Sequence, residues 1–188
     1  MKQYLIIMHG FSGTGKSAIA KKLAENTGYK IFQSDMIRKK LAGKKKTERN
    51  NNDYDRGIYS PKFTNITYDV MLKLAEKNLK RGNSVILDAT FNKVKHREKA
   101  RKISTDYAAD CIIIQCSLDE KLIKERLKKR ENEDNDVSDA NWQIYLNQKN
   151  NFEPLSYLEK EMTLTVDTHN EITENTNKII KYLGYPVN

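Results

Sequence analysis

The chain has 188 residues, with 34 lysines and arginines against 25 aspartates and glutamates, a formal net charge of +9, 38% hydrophobic and 31% charged residues. That length suits one domain spanning 1–188, and no apolar run reaches the length of a membrane span, so a soluble, cytoplasmic protein with no membrane association is expected. The positive balance favours polyanionic partners, nucleotide and nucleic acid among them, although lysine-rich solvated helices produce the same excess.

The first predicted unit is the most informative. Tyr4-Leu5-Ile6-Ile7-Met8 is an apolar run of strand length. Gly10-Phe11-Ser12-Gly13-Thr14-Gly15-Lys16-Ser17 follows and fits the pattern G-x-x-x-x-G-K-[ST] without a mismatch. Ala18 to Glu25 then reads as a helix, with Ile19 and Leu23 on one face and Gly28 as its stop. Strand, glycine loop and helix together make a phosphate cradle. Glycines let backbone amides approach phosphate oxygens, and the helix start points its positive dipole end at the same anion. In this reading Gly10, Ser12, Gly13, Thr14 and Gly15 line the cradle, Lys16 bridges the β- and γ-phosphates of ATP, and the Ser17 hydroxyl binds Mg²⁺.

Further along, Tyr29 to Ser34 reads as a strand ending at Asp35, and Met36 to Leu41 as a short helix. Residues 42–63 are polar, basic and turn-rich, an expected acceptor-side loop. A helix is expected over 64–81 with Gly82 as C-cap, a strand over Ser84 to Asp88, a basic helix over 93–103 and a buried strand over Cys111 to Cys116. The two cysteines fall on opposite strand faces, which argues against a disulfide and for a core role. Ser117-Leu118-Asp119-Glu120 reads as a capping box opening a helix to Arg130. An acidic lid is expected around 130–138, helices at 138–150 and 154–161, and a last strand over Thr163 to Asp167. Thr168-x-x-Glu171 reads as the cap of a final helix, with Ile172, Ile179 and Leu183 inward. Strands alternating with helices imply an α/β fold with a five-stranded parallel sheet in three layers.

Ligands of such sheets bind beyond the carboxyl ends of the strands, where the glycine loop, Asp35 and Asp88 converge. No Asn/Thr-Lys-x-Asp run marks a guanine-specific switch, and Asp88 is followed by Ala89 and Thr90 rather than a water-polarising glutamate. Transfer to another hydroxyl is therefore favoured over hydrolysis. Asp35 is the candidate general base, with helix N-capping as its alternative role, and Arg38 lies one turn on, on the acceptor side. Asp88 is a candidate Mg²⁺ ligand or a turn former. Arg126 and Arg130, one turn apart, could stack on a base and clamp phosphates or simply line a solvated face. A non-catalytic nucleotide-binding sensor would need no Asp35.

Taken together, the glycine loop, Ser34-Asp35-x-x-Arg38, Tyr59-Ser60-Pro61, Leu87-Asp88-Ala89-Thr90-Phe91, Arg126-x-x-x-Arg130, Val137-Ser138-Asp139-Ala140 and Phe152-Glu153-Pro154-Leu155 resemble the predicted P-loop kinases found alone or fused to aminoglycoside-phosphotransferase-like domains. These are similar to the 5′-kinase domain of phage polynucleotide kinase and, more distantly, to zeta-toxin and gluconate-kinase-type enzymes. The resemblance implies sheet order 2-3-1-4-5, Asp35 as general base, Arg38 on the acceptor side, Arg126 near the adenine and Arg130 near the phosphates. It leaves the acceptor open between a polynucleotide 5′-hydroxyl and a small molecule.

Overall fold

The structure, a computed structural model, describes residues 2–45, 57–131 and 140–186. Five strands, β1 (Tyr4–His9), β2 (Lys30–Gln33), β3 (Val85–Asp88), β4 (Asp110–Ser117) and β5 (Thr163–Asp167), form one sheet of order β2-β3-β1-β4-β5. Every pairing is parallel, with Ile6 opposite Ile86 on one side and Ile112 on the other. The 2-3-1-4-5 order expected from the resemblance is the order found.

Strand alternation sorts the core into two layers. Leu5, Ile7, Val85, Leu87 and Ile113 face one side of the sheet, where they meet α3 (Pro61–Leu79) and α4 (Val94–Asp106) through Met71, Leu72, Ala75 and Ala100. Tyr4, Ile6, Met8, Ile86, Ile112 and Ile114 face the other, against Ile19 and Leu23 of α1 (Lys16–Thr27) and Ile179 and Ile180 of α8 (Ile172–Tyr182). Cys111 and Cys116 are free thiols on these opposite layers. A third apolar group joins Ile123 and Leu127 of α5 (Glu120–Glu131) to Tyr145 of α6 (Trp142–Asn150). No helix among the described residues is long and apolar enough to cross a membrane.

Four local readings change. Ser60-Pro61, read as part of a loop, is instead a helix start: Ser60 accepts from the Phe63 amide and Pro61 occupies the first position of α3, where its missing N–H is harmless. The cap of α5 is Asp119, whose Oδ1 accepts from the Lys121 amide at 2.9 Å, while the Ser117 hydroxyl donates to the Val166 carbonyl. Thr168 does not cap α8, whose N-cap is Glu171 without a side-chain bond, and Ile172 is 44% exposed rather than inward. The helix read over 138–150 is described from Trp142, capped by the Asn141 side chain on the Ile144 amide at 2.9 Å. Most of the 42–63 loop and the 132–138 stretch of the lid lie outside the described residues.

Candidate active site

The glycine loop runs from the end of β1 into α1, and its shape depends on missing side chains. Gly10 has φ 135°, and a Cβ there would lie 2.6 Å from the Cys116 carbonyl oxygen of β4. Gly13 has φ 84°, and its Cβ would lie 2.9 Å from Ile123 Cγ2 and 3.1 Å from Leu127 Cγ on α5. Only glycine fits both the backbone angles and the space. Among the described residues, the amides of Gly13, Gly15, Lys16 and Ser17 make no hydrogen bond, so they stand available at the start of α1, where the helix dipole favours an anion.

Lys16 is buried, and its Nζ donates to the Phe11 carbonyl at 2.6 Å. Burial pulls its pKa below the ordinary lysine value, whereas the negative charges of Asp88 and Asp35 push it back up and Arg130 pulls it down. The lysine, both carboxylates and the arginine thus share one electrostatic neighbourhood. Asp88, at the carboxyl end of β3, is buried and pairs in register with Gln33 of β2, whose Nε2 donates to its Oδ2 at 2.8 Å. Asp35 sits in the first turn of α2 (Ser34–Leu41) rather than at a strand end. The N-cap position of that helix is Gln33, whose side chain makes no capping bond and reaches Asp88 instead. Helix-dipole attraction suits a carboxylate in that turn.

Arg38, expected on the acceptor side, is buried, with Nη1 donating to the Ile58 carbonyl at 2.7 Å and to Thr64 Oγ1 at 3.1 Å, and its guanidinium 4.8 Å from the Tyr59 ring centre. It ties α2 to the start of α3. Arg126 and Arg130 lie on α5. Arg126 donates through Nη2 to the Thr168 carbonyl at 2.8 Å and through Nη1 to its hydroxyl at 3.4 Å, and that hydroxyl donates to the Thr14 carbonyl at 2.7 Å. Both arginines line a cavity of about 270 Å³ beside the glycine loop, with Gly15, Ile19, Asn170 and Ile172.

Several site-forming residues escape sequence reading. Gln148 of α6 binds Ser12, and Thr168 supports Thr14. Arg97 is fully buried, donating through Nε to Glu159 Oε1 at 2.7 Å, through Nη1 to the Phe91 carbonyl at 2.9 Å and through Nη2 to the Pro154 carbonyl at 3.0 Å. That grip fixes the turn after Asp88, where Phe91 adopts φ 49° and its amide donates to the Tyr68 hydroxyl at 3.0 Å. At the end of β1, His9 Nδ1 meets the Thr90 carbonyl at 3.0 Å while its ring stacks on Phe152. The chain separations are 136 residues for Gln148–Ser12 and 154 for Thr168–Thr14, beyond any local pattern.

A family model described as an AAA domain matches residues 5–155. The chain belongs to the AAA domain family. An uncharacterized protein of Mycobacterium tuberculosis (strain ATCC 25618 / H37Rv) is 28% identical to this AAA domain protein over 134 residues, 71% of this chain. The matched part is only 27% of that relative, so the chain spans about a quarter of the length of the curated relatives it matches. Among solved structures, a sugar kinase from Janibacter sp. HTCC2649 aligns with TM-score 0.72 and 17% identity over 98% of this chain and 95% of its own. The Mycobacterium tuberculosis APS kinase in complex with AMPPNP and APS aligns with TM-score 0.67 and 18% identity over 98% of this chain and 99% of its own. At these identities the likeness is one of fold, which this AAA domain protein shares with the sugar kinase and the APS kinase.

Proposed function

We propose that the chain is a phosphotransferase that moves the γ-phosphate of ATP to an acceptor hydroxyl. The observation that carries this reading is the start of α1, where the amides of Gly13, Gly15, Lys16 and Ser17 have no partners among the described residues, buried Lys16 is anchored on the Phe11 carbonyl, and buried Asp88 ends the neighbouring strand in register with Met8 of β1. The cavity beside Gly15 suits the nucleoside end of ATP, with Arg126 and Arg130 on its wall. The amides of Gly13, Gly15, Lys16 and Ser17 would hold the phosphates, and Lys16 would supply the positive charge for the β and γ groups.

In the transfer, Asp35 accepts the acceptor's hydroxyl proton, the acceptor oxygen forms a bond to the γ-phosphorus, and the bond to the bridging oxygen breaks to leave ADP. Lys16 and Arg130 neutralise the charge that develops. Ser17 and Asp88 would hold a Mg²⁺ ion whose charge offsets that of the phosphates. Asp88 fits that role as a buried carboxylate with one oxygen fixed by Gln33, since Mg²⁺ sites commonly use one or two carboxylates plus substrate phosphates. Arg38 fits a role in which it shapes the acceptor side by holding the Ile58–Thr64 segment in place.

The structural neighbours include a sugar kinase and an APS kinase complex, which supports a small-molecule acceptor, while the net charge of +9 keeps a polynucleotide 5′-hydroxyl in the test. The deciding experiment is a labelled-phosphate transfer screen over sugars, nucleosides and oligonucleotides with Mg²⁺. Transfer to one class, reduced about a hundredfold or more by Asp35→Asn with nucleotide affinity held within a few-fold, is expected. ATP binding without transfer to any acceptor, unaffected by Asp35→Asn, would instead identify a nucleotide sensor.

A further inference from the structure

Gln148 makes two hydrogen bonds to a single residue of the glycine loop. Its Oε1 accepts from the Ser12 amide at 2.8 Å, and its Nε2 donates to Ser12 Oγ at 2.9 Å. A backbone N–H can only donate, so the orientation of the Gln148 amide is fixed by its partner. Gln148 is 8% exposed, so the bonds are made out of water, where losing a partner is costly.

The chemistry lies in the peptide unit that Gln148 holds. The Ser12 N–H and the Phe11 C=O belong to the same rigid plane and point in opposite directions. The Phe11 carbonyl is the group that receives the Lys16 ammonium at 2.6 Å, together with the Thr14 hydroxyl at 2.8 Å. Gln148 therefore grips one side of a plane whose other side anchors the lysine. If the plane rotates, the carbonyl that locates Lys16 turns away.

The grip itself is rigid. Helix α6 is joined to α5 by the Lys149–Glu120 ion pair at 2.6 Å and by Lys124 over the Trp142 ring. Phe11 is flanked by the rings of Tyr145 and Phe152, whose centres lie 5.6 and 5.3 Å away, and Gly13 lies against Ile123 and Leu127. Residues 11–13 thus rest on α5, α6 and the start of the segment after α6, and Gln148 supplies the hydrogen bonds among these contacts.

We propose that Gln148 is a positioning residue for phosphoryl transfer, acting on the Lys16 ammonium through the Phe11–Ser12 peptide plane. This rests on the reading of the chain as a kinase. Because it sets the location of a charge rather than contacting the nucleotide, its loss should lower kcat more than it raises KM for ATP.

The test compares wild type with Gln148→Met, which keeps an unbranched side chain of similar size but neither polar atom, and with Gln148→Glu, which keeps an oxygen to accept from the Ser12 amide that fixes the plane and loses only the donor to Ser12 Oγ. Two readouts are taken: hydrolysis of Mg·ATP by water without acceptor, and hydrogen exchange of the Ser12 amide in unliganded protein. For Gln148→Met the expected result is a tenfold to hundredfold fall in kcat, KM for ATP within about threefold, and Ser12 exchange at least tenfold faster. Gln148→Glu should lose less than about fivefold in kcat, with the Ser12 amide still protected. An unchanged kcat in Gln148→Met, a KM rise that matches the kcat loss, or equal losses in the two variants would overturn the proposal while leaving the kinase reading intact. Wild-type protein that neither binds nor turns over ATP would sink the kinase reading, and this proposal with it.

Discussion

The Thr168 hydroxyl donates to the Thr14 carbonyl at 2.7 Å, bridging β5 and the glycine loop across 154 residues of chain, and Arg126 closes the bridge from α5 onto the same threonine. A residue expected to cap a helix is instead a strut beneath the phosphate seat. Thr168→Val keeps the shape and removes the hydroxyl, leaving the buried Thr14 carbonyl without its short partner. ATP affinity is expected to fall by about tenfold, in line with the desolvation penalty of one orphaned polar group, and fluorescence or calorimetric titration of the variant measures it.

Lys16 is held by burial in a weakened protonated state, and bound phosphates would strengthen its charge. Lys16→Met removes that charge while keeping the stem. Phosphate transfer is expected to drop by at least about a hundredfold, with a smaller loss of ADP affinity, since ADP lacks the γ-phosphate on which the proposed role of the lysine centres. Steady-state transfer assays paired with ADP titration separate the two effects.

The Arg97–Glu159 pair is buried on both sides, at 0% and 1% side-chain exposure, and Glu159 Oε2 also accepts from the Ser156 amide at 2.8 Å. Removing one partner strands the other charge in the core. Arg97→Met should therefore destabilise the fold by about 3–5 kcal/mol in chemical denaturation. Burial pushes the Glu159 carboxyl pKa up, but the Arg97 bond and the Ser156 amide more than offset it, leaving the net value below the ordinary carboxylate range. The stability this group contributes is thus present above its unfolded pKa and is lost as pH falls through the lower folded value.

His9 and His96 define a second acid window. Burial is the main cause that lowers each from 6.5 to about 4, aided by Arg97 at His9 and by Lys95 and Lys99 at His96. Both rings are neutral in the folded protein at pH 7, and the unfolded chain takes up protons first as the solution is acidified. Stability is therefore complete above about pH 6.5 and declines as pH falls toward 4. Ring titration by NMR should place both transitions below pH 5 in the folded state, and denaturation midpoints at pH 7 and pH 5 should differ in the direction stated.

The strand–loop–helix unit was legible because it is local: the apolar run of β1, three glycines at fixed offsets and the helix formers of α1 all lie within the first 27 residues. Sheet order came from family resemblance, since periodicity identifies strands but not neighbours. The start of α3 was recoverable from Ser60-Pro61, a cap followed by a proline at the first helical position, yet the surrounding polar residues hid it. Gln148, Thr168 and the Arg97–Glu159 pair were not legible at all. Each is an ordinary polar residue in a helix or turn, and its partner is supplied by parts of the chain 62 to 154 residues away. Thr168 also carried a competing local signal, a Thr-x-x-Glu pattern, which the buried bond to Thr14 overrode.

The packing of α5 and α6 against the glycine loop has a consequence for how the protein is made. Phe11, Ser12 and Gly13 leave the ribosome more than a hundred residues before the groups they rest on, Ile123, Leu127, Tyr145, Gln148 and Phe152. A nascent chain that has completed β4 has most of its sheet and no braces for its nucleotide-gripping turn. Competence to hold nucleotide should therefore arrive abruptly, once α5, α6 and Phe152 have been made, rather than growing with chain length.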